Sequence, residues 1–283
     1  MSLPSIARRW SSSKFTRAVL SAVAASLLLA ATVAQAVTPD EIKKKGKVVI
    51  GIQGDNPPWG FVDTTGAQQG FDADMGKLLG KELGVAVEFV PLAVANRIPA
   101  LVTNKVDVVI AVMGMYPDRA KAVQFTKPYS ANDIILAAPK KTVITRFEDM
   151  SKFVIGVPRS SAQDTEVTRR APAGTTIRRF DDDAATIQAM LSGQVQAVGG
   201  NGFYPNKLNA AQPNMYERKL DFVRQWNGIV TRLGEKEWNA YLNAFIDRQR
   251  ANGQIAAIYG KWMGYAPPAE YPAALDGIPF TVR

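Results

Sequence analysis

Short apolar runs alternate along the chain with stretches of helical period. Val48-Val49-Ile50-Gly51-Ile52 predicts a buried strand. From Asp72 to Leu83, Met75, Leu78, Leu79 and Leu83 share one helical face, and Gly84 follows as a stop signal. Val85 to Val90 predicts a strand, and Asn96 to Thr103 a short helix carrying Ile98, Leu101 and Val102. Val106 to Val112 is apolar except for Asp107, the pattern of a strand covered on both faces. Pro117 to Val123 predicts another helix. This alternation implies an α/β fold with a mostly parallel sheet.

The rhythm restarts at Phe153-Val154-Ile155-Gly156-Val157, a second opening strand. A helix over Ser161–Arg170, a strand over Thr176–Phe180, a helix over Asp182–Leu191 and a strand over Val195–Gly199 follow. Two such sets in one chain predict two lobes. After Ile229-Val230-Thr231, Glu235 to Arg250 predicts a helix whose Trp238, Tyr241, Leu242, Phe245 and Ile246 form one apolar stripe. The stripe reads as core packing. Ala266 to Arg283, rich in Pro, predicts an irregular tail.

The N-terminus has a different grammar. Arg8, Arg9, Lys14 and Arg17 precede an uncharged, Ala/Leu/Val-rich run from Ala18 to Val33, and Ala34-Gln35-Ala36 fits a small-x-small cleavage site. This is the pattern of a secretory signal peptide over 1–36, cut after Ala36 and directing the rest to the periplasm. Its apolar run is short for a membrane span of roughly 20 residues, and no Cys follows to carry a lipid.

Composition then narrows the chemistry. Among 283 residues there are no Cys and no His, which excludes disulfides, His- or thiolate-held zinc and every Ser-His or Cys-His mechanism. Losing four basic residues with the leader lowers the net charge from +9 to +5. No concentrated basic patch or interleaved aromatics suggest a nucleic-acid partner, and no metal or cofactor motif is present.

Four loops that follow strands carry the candidate ligand chemistry, because ligands of open α/β sheets sit beyond the carboxyl ends of strands. In Gly54-Asp55-Asn56-Pro57-Pro58-Trp59-Gly60-Phe61, Asp55 and Asn56 offer polar contacts and Trp59 a flat apolar face, unless Trp59 is a core plug. In Val112-Met113-Gly114-Met115-Tyr116-Pro117-Asp118-Arg119, Gly114 allows close backbone approach, and Arg119 on the following helix suits a bidentate grip on a carboxylate. In Gly156-Val157-Pro158-Arg159-Ser160-Ser161-Ala162-Gln163, Ser161 is a good N-cap, and the N–H groups around it suit an anion. In Gly199-Gly200-Asn201-Gly202, Asn201 either faces a cleft or occupies a turn of positive φ. Asp181-Asp182-Asp183 reads as a helix cap. No pair of carboxylates placed for acid–base work is evident.

Several segments together resemble the polar amino-acid family of periplasmic solute-binding proteins, the receptors of ATP-binding-cassette importers. They are Pro57-Pro58-Trp59-Gly60-Phe61, Gly70-Phe71-Asp72-Ala73-Asp74, Asn96-Arg97-Ile98-Pro99-Ala100-Leu101, Val106-Asp107-Val108-Val109-Ile110, Pro117-Asp118-Arg119, Phe125-Thr126-Lys127-Pro128-Tyr129 and Tyr259-Gly260-Lys261-Trp262-Met263. The similarity runs from Val48 to Gly264. It implies two α/β lobes joined by two hinge strands, with lobe one from 38–135 and 227–283 and lobe two from 136–226. It also implies a monomer that hands its ligand to an inner-membrane permease with its ATPase. By the family pattern Arg119 and the backbone at Val112 and Gly114 hold the ligand carboxylate, helped by Ser161.

The chain departs from that pattern at five positions. Asn201 stands where an Asp usually binds the α-ammonium. Asn56 and Val94 stand where aromatics often sandwich the ligand. Gly114 replaces a Thr, and Tyr116 replaces the usual Thr cap. Either the ligand is a carboxylate without an α-amino group, or another acid reaches the amine through the room left at Gly199 and Gly200. The reading that follows is a binding receptor and not an enzyme. Its alternatives are a dehydratase-like enzyme on the same fold and a ligand-sensing module.

Overall fold

The computed structural model describes residues 36–282. The leader expected over 1–36 lies outside the described residues except for Ala36. Among the described residues no helix is long and apolar enough to cross a membrane.

The described residues open with α1 (Pro39–Lys45), whose Thr38 and Glu41 form a reciprocal capping box and whose Gly46 ends it in a left-handed conformation. β1 (Lys47–Ile52) follows. A small three-stranded sheet comes next, made of β2 (Asp55–Asn56), β3 (Gly60–Val62) and β4 (Gln68–Gln69). Then come α2 (Phe71–Leu83), β5 (Ala86–Pro91), a 3-10 turn over Val94–Asn96, α3 (Arg97–Val102), β6 (Val108–Val109) and α4 (Pro117–Ala120). The long strand β7 (Gln124–Pro139) leads to β8 (Ile155–Pro158), α5 (Ala162–Arg170), β9 (Ile177–Phe180), α6 (Asp183–Leu191), β10 (Ala197–Asn201) and α7 (Tyr204–Ala211). The second long strand, β11 (Tyr216–Thr231), returns the chain to α8 (Lys236–Ala251) and α9 (Gln254–Met263).

Eight strands form one mostly parallel sheet in the order β5-β1-β6-β11-β7-β10-β8-β9. β5, β1 and β6 run parallel at one end, and β10, β8 and β9 run parallel at the other. The antiparallel pair β7 and β11 joins the two triads, running from Tyr216 opposite Pro139 to Thr231 opposite Gln124. Each triad attaches to a different member of that pair: β6 to Val230 of β11, and β10 to Ile134–Ala137 of β7. The last backbone bond on one side runs from Gly202 N–H to Asp133 O (3.0 Å). The first on the other runs from Met115 N–H to Trp226 O (2.9 Å). Between them, Asn132 and Gln225 face only each other.

Both faces of each triad are covered, as a parallel sheet requires. On one face of the first, Trp59, Phe71, Tyr129, Trp238 and Phe245 pack with Ile50 and Val108; on the other, Leu101, Val109 and Phe125 pack together. The second triad has Leu136, Met150 and Val167 on one face and Ile135, Tyr204 and Leu208 on the other.

Two expectations need correction. The strand read over Val106–Val112 pairs as a strand only at Val108–Val109, because the chain then bends to place Val112 at φ +43. The helix read over Pro117–Val123 is one turn, Pro117–Ala120. The sixteen-residue strands β7 and β11 were not foreseen from the hydrophobic pattern, because charged and amide side chains interrupt them.

Candidate functional site

The carboxyl ends of β1, β5, β6, β8, β9 and β10 converge on a cleft between the two triads, and the loops leaving them supply its walls. From the first triad come Gln53, Asn56, Val94, Arg97, Val112 and Arg119; from the second, Ser161, Ala162, Gln163 and Asp183; Asn132 and Gln225 form the crossing between them.

The cleft is closed by polar contacts that cross it. Gln53 Nε2 donates to Asp183 Oδ2 (3.1 Å), and Ala184 N–H donates to Asp55 Oδ2 (3.0 Å). Asn56 Oδ1 accepts from both Asn201 Nδ2 (2.9 Å) and Lys207 Nζ (2.7 Å). Arg119 donates from one terminal nitrogen to Gly114 O and from the other to Ser160 O, each at 2.9 Å. Tyr116 Oη donates to Glu166 Oε1 at 3.0 Å.

Local structure explains the placement of the anion-attracting groups. Asp164 N–H donates to the Ser161 side chain at 2.9 Å, which makes Ser161 the N-cap of α5. The N–H groups of Ala162 and Gln163, the first two of α5, have no partners within the helix, and both residues line the cleft. Arg119 has five N–H donors, of which the two bonds above use two. Removal from water pulls its guanidinium below the ordinary arginine range. Arg97, which stands out in the sequence only as part of the Asn96–Leu101 segment, is buried and ties the loop together through Nε to Val94 O (3.1 Å) and a terminal nitrogen to Ala111 O (2.7 Å). Burial, with Arg119 nearby, lowers it to about 9.

The acids of the cleft respond in the opposite sense. Burial, with Asp183 beside it, pushes Asp55 up to about 6, against the opposing Ala184 N–H. Burial pulls the Lys207 ammonium down, with Asp183 and Asp55 acting in the other direction.

Of the residues singled out in the sequence, Asn56, Val94, Val112, Arg119 and Ser161 line one cavity, and Asp55 and Asn201 sit among the contacts that shut it. Asn201 is a fully buried β-strand residue at negative φ, so it occupies no left-handed turn. Its carbonyl accepts from Phe203 N–H while its amide reaches Asn56. Val112 N–H is taken by Tyr129 Oη at 3.3 Å. Gly114 lies behind the cavity wall, where a side chain would overlap the Gln225 amide. Trp59 is a correction: it is wholly buried against Phe71 and Phe203 and does not reach the cleft. The room expected at Gly199 and Gly200 is also filled, by Val167 and by the ring of Tyr204. The acidic run splits its roles: Asp182 alone caps α6, accepting from Ala185 N–H at 2.7 Å, while Asp183 turns into the cleft. Gln53, Asn132, Gln163 and Gln225 were missed because single amides form no motif.

Residues 48–265 match the family model of the bacterial extracellular solute-binding proteins, family 3. The chain belongs to that family. It is a solute-binding receptor of an ATP-binding-cassette importer. The receptor is 25% identical over 228 residues to the L-cystine-binding protein TcyJ of Escherichia coli (strain K12), covering 80% of this chain and 85% of that one. It is 26% identical to the ABC transporter arginine-binding protein 1 of the same strain, covering 86% and 97%. The solved structure of an ancestral arginine-binding protein bound to arginine superposes with a TM-score of 0.73 at 32% identity, covering 77% of this chain and all but 1% of that one, and the receptor shares its two-lobed periplasmic-binding-protein fold.

Proposed function

We propose that the mature receptor works in the periplasm, cut from its leader after Ala36. There it captures an amino acid or a related small carboxylate between lobe one (38–135 and 227–283) and lobe two (136–226). Arg119 and the first N–H groups of α5, with Ser161, hold the ligand carboxylate; Asn56, Val94 and Val112 wall the pocket; Asp55 and Asn201 belong to the contacts that close over it. Rotation at the β7–β11 crossing opens and shuts the cleft, and the shut form docks on an inner-membrane permease with its ATPase. The receptor acts as a monomer and is not an enzyme.

The observation that supports this reading is Arg119, which among the described residues retains three unused donors, at a cleft whose opposite wall holds the first turn of α5. A carboxylate bridging the two satisfies donors on both lobes and stabilises the shut form alone. The relatives named for L-cystine and arginine support an amino-acid ligand.

Calorimetric titration of the mature protein with the common L-amino acids and their amine-free analogues tests it. Saturable one-to-one binding by at least one small carboxylate is expected. Binding by none, or turnover of prephenate or arogenate, overturns it.

A further inference from the structure

Asp183 is the one carboxylate among the residues lining the cavity. It is 1% exposed. Its two oxygens accept from neutral groups: Oδ1 from Tyr204 Oη at 2.7 Å and Oδ2 from Gln53 Nε2 at 3.1 Å. Among the described residues no Lys or Arg nitrogen lies within ion-pair distance of it; Lys207, the nearby ammonium, donates instead to Asn56. The hydration of Asp183 is thus replaced by neutral donors, with Arg97 and Lys207 acting on it through space and not by contact. Each of its oxygens still has lone-pair capacity.

A second acceptor faces the same cavity. Gln225 is 5% exposed, its Nε2 donates to Asn227 Oδ1 at 2.6 Å, and its Oε1 has no partner among the described residues. The amide lies over Gly114, whose carbonyl is one of the two anchors of Arg119. The cavity therefore joins the carboxylate-gripping guanidinium to two buried acceptors with spare capacity. A ligand bearing a carboxylate and a nearby ammonium matches both.

We infer that Asp183 is the residue that holds the ligand's α-ammonium, with Gln225 Oε1 as its auxiliary acceptor. The receptor is thus built for zwitterionic amino acids although Asn201 carries no charge. This rests on the receptor reading above and assigns its ligand class. The space beside Asn201 is occupied by the Tyr204 ring, and the same Tyr204 steadies the substitute carboxylate through its hydroxyl.

The test titrates the mature receptor with three matched pairs: L-glutamate and glutarate, L-arginine and 5-guanidinopentanoate, L-cystine and 3,3′-dithiodipropionate. The wild type is expected to bind at least one amino acid more than about tenfold tighter than its amine-free partner. Asp183→Asn is expected to weaken that amino acid by at least about 30-fold, the loss typical of a buried charged partner, and to leave the amine-free acid within about threefold. Asp182→Asn, which removes only the cap, should lower Tm and keep the preference. Should Asp183→Asn fail to fold, Asp183→Ser and Gln225→Leu carry the same expectation in direction. Retention of the amine preference in a folded Asp183 variant overturns the inference and leaves the receptor reading intact. So does a wild type that prefers the amine-free acids. Where none of the six binds, the matched pair is the L-amino acid found by the calorimetric screen and its amine-free analogue; binding to no small carboxylate at all overturns both.

Discussion

Tyr116 Oη and Glu166 Oε1 meet at 3.0 Å across the cleft, one carried just before α4 and the other by α5. The Glu166 side chain is almost wholly buried and also holds Arg169, so the tyrosine meets a carboxylate already fixed in place. Burial and that carboxylate push the tyrosine hydroxyl above its usual range, which keeps it a donor at all physiological pH values. On the two-lobed reading proposed above, the bond forms only as the lobes shut. Tyr116→Phe keeps the ring beneath Arg119 and removes the latch. Hydrogen bonds to charged groups contribute about 1.5–3 kcal/mol when protected, less where partly exposed, so affinity should fall roughly 3- to 10-fold. Calorimetry should give the same factor for every ligand, because the loss falls on closure and not on recognition.

Arg119→Lys should cost more. A lysine ammonium cannot reach Gly114 O and Ser160 O together and still present a planar fork to a carboxylate. Affinity for every carboxylate ligand should drop at least about 100-fold, with the circular dichroism spectrum and unliganded Tm nearly unchanged. A variant that binds within a few-fold of wild type would remove Arg119 from the site.

Asp72 makes stability depend on pH. It is fully buried; Tyr129 Oη donates to its Oδ1 at 2.6 Å, and Oδ2 has no partner among the described residues. Burial pushes the carboxyl up to about 7, against the opposing Tyr129 hydroxyl and Val112 N–H. The folded state then holds its proton more tightly than the unfolded chain, where 3.8 is the ordinary value. The folded state therefore binds more protons between about pH 4 and 7, and this group's contribution to stability falls as pH rises through that window. Asp55, raised to about 6, acts in the same direction. Thermal melts should show Asp72→Asn flattening the decline in Tm between pH 5 and 8.

Gly70→Ala should destabilise the receptor without touching the cleft. Gly70 sits at φ +112, and a side chain there would overlap the Trp59 carbonyl. The close approach is fixed because Phe71 N–H donates to Pro58 O and Asp72 N–H to Trp59 O. Strain and collision together should cost about 2–4 kcal/mol, read by urea unfolding, while ligand affinity in the folded fraction stays unchanged.

Much of this architecture is legible in the chain because local pattern and tertiary packing agree there. β1, α2, α5 and α8 lie within a residue or so of where their periodicity put them, and Gly84 and Ser161 end or start helices by local chemistry. The long crossing strands are illegible because their pairing is non-local and Lys127, Asp133 and Arg224 break their apolar runs. In the site, Arg119 and Ser161 announce themselves through strand-to-helix context. Asp183 does not: a one-residue step around the start of α6 separates a cap from a cleft carboxylate, and an unbroken run of three aspartates hides which is which. Trp59 misleads for the reverse reason, since a ligand-loop aromatic and a core plug have the same local sequence, and only the packing of Phe71 and Phe203 decides.

The narrowness of the strand crossing separates two properties of the receptor. At Asn132 and Gln225 the sheet thins to one pair of residues, so few backbone contacts resist rotation there. Immediately beside that pair, Arg224 donates to Asp133 at 3.2 Å on the side chains' solvent-facing edge. A change to Asp133 or Arg224 alters the fraction of molecules that are shut and multiplies the apparent Kd of every ligand by one common factor. A change at Asp183 reorders amine-bearing against amine-free ligands instead. Gain and tuning are thus set by different residues, and the receptor's working range can drift over generations while its menu stays the same.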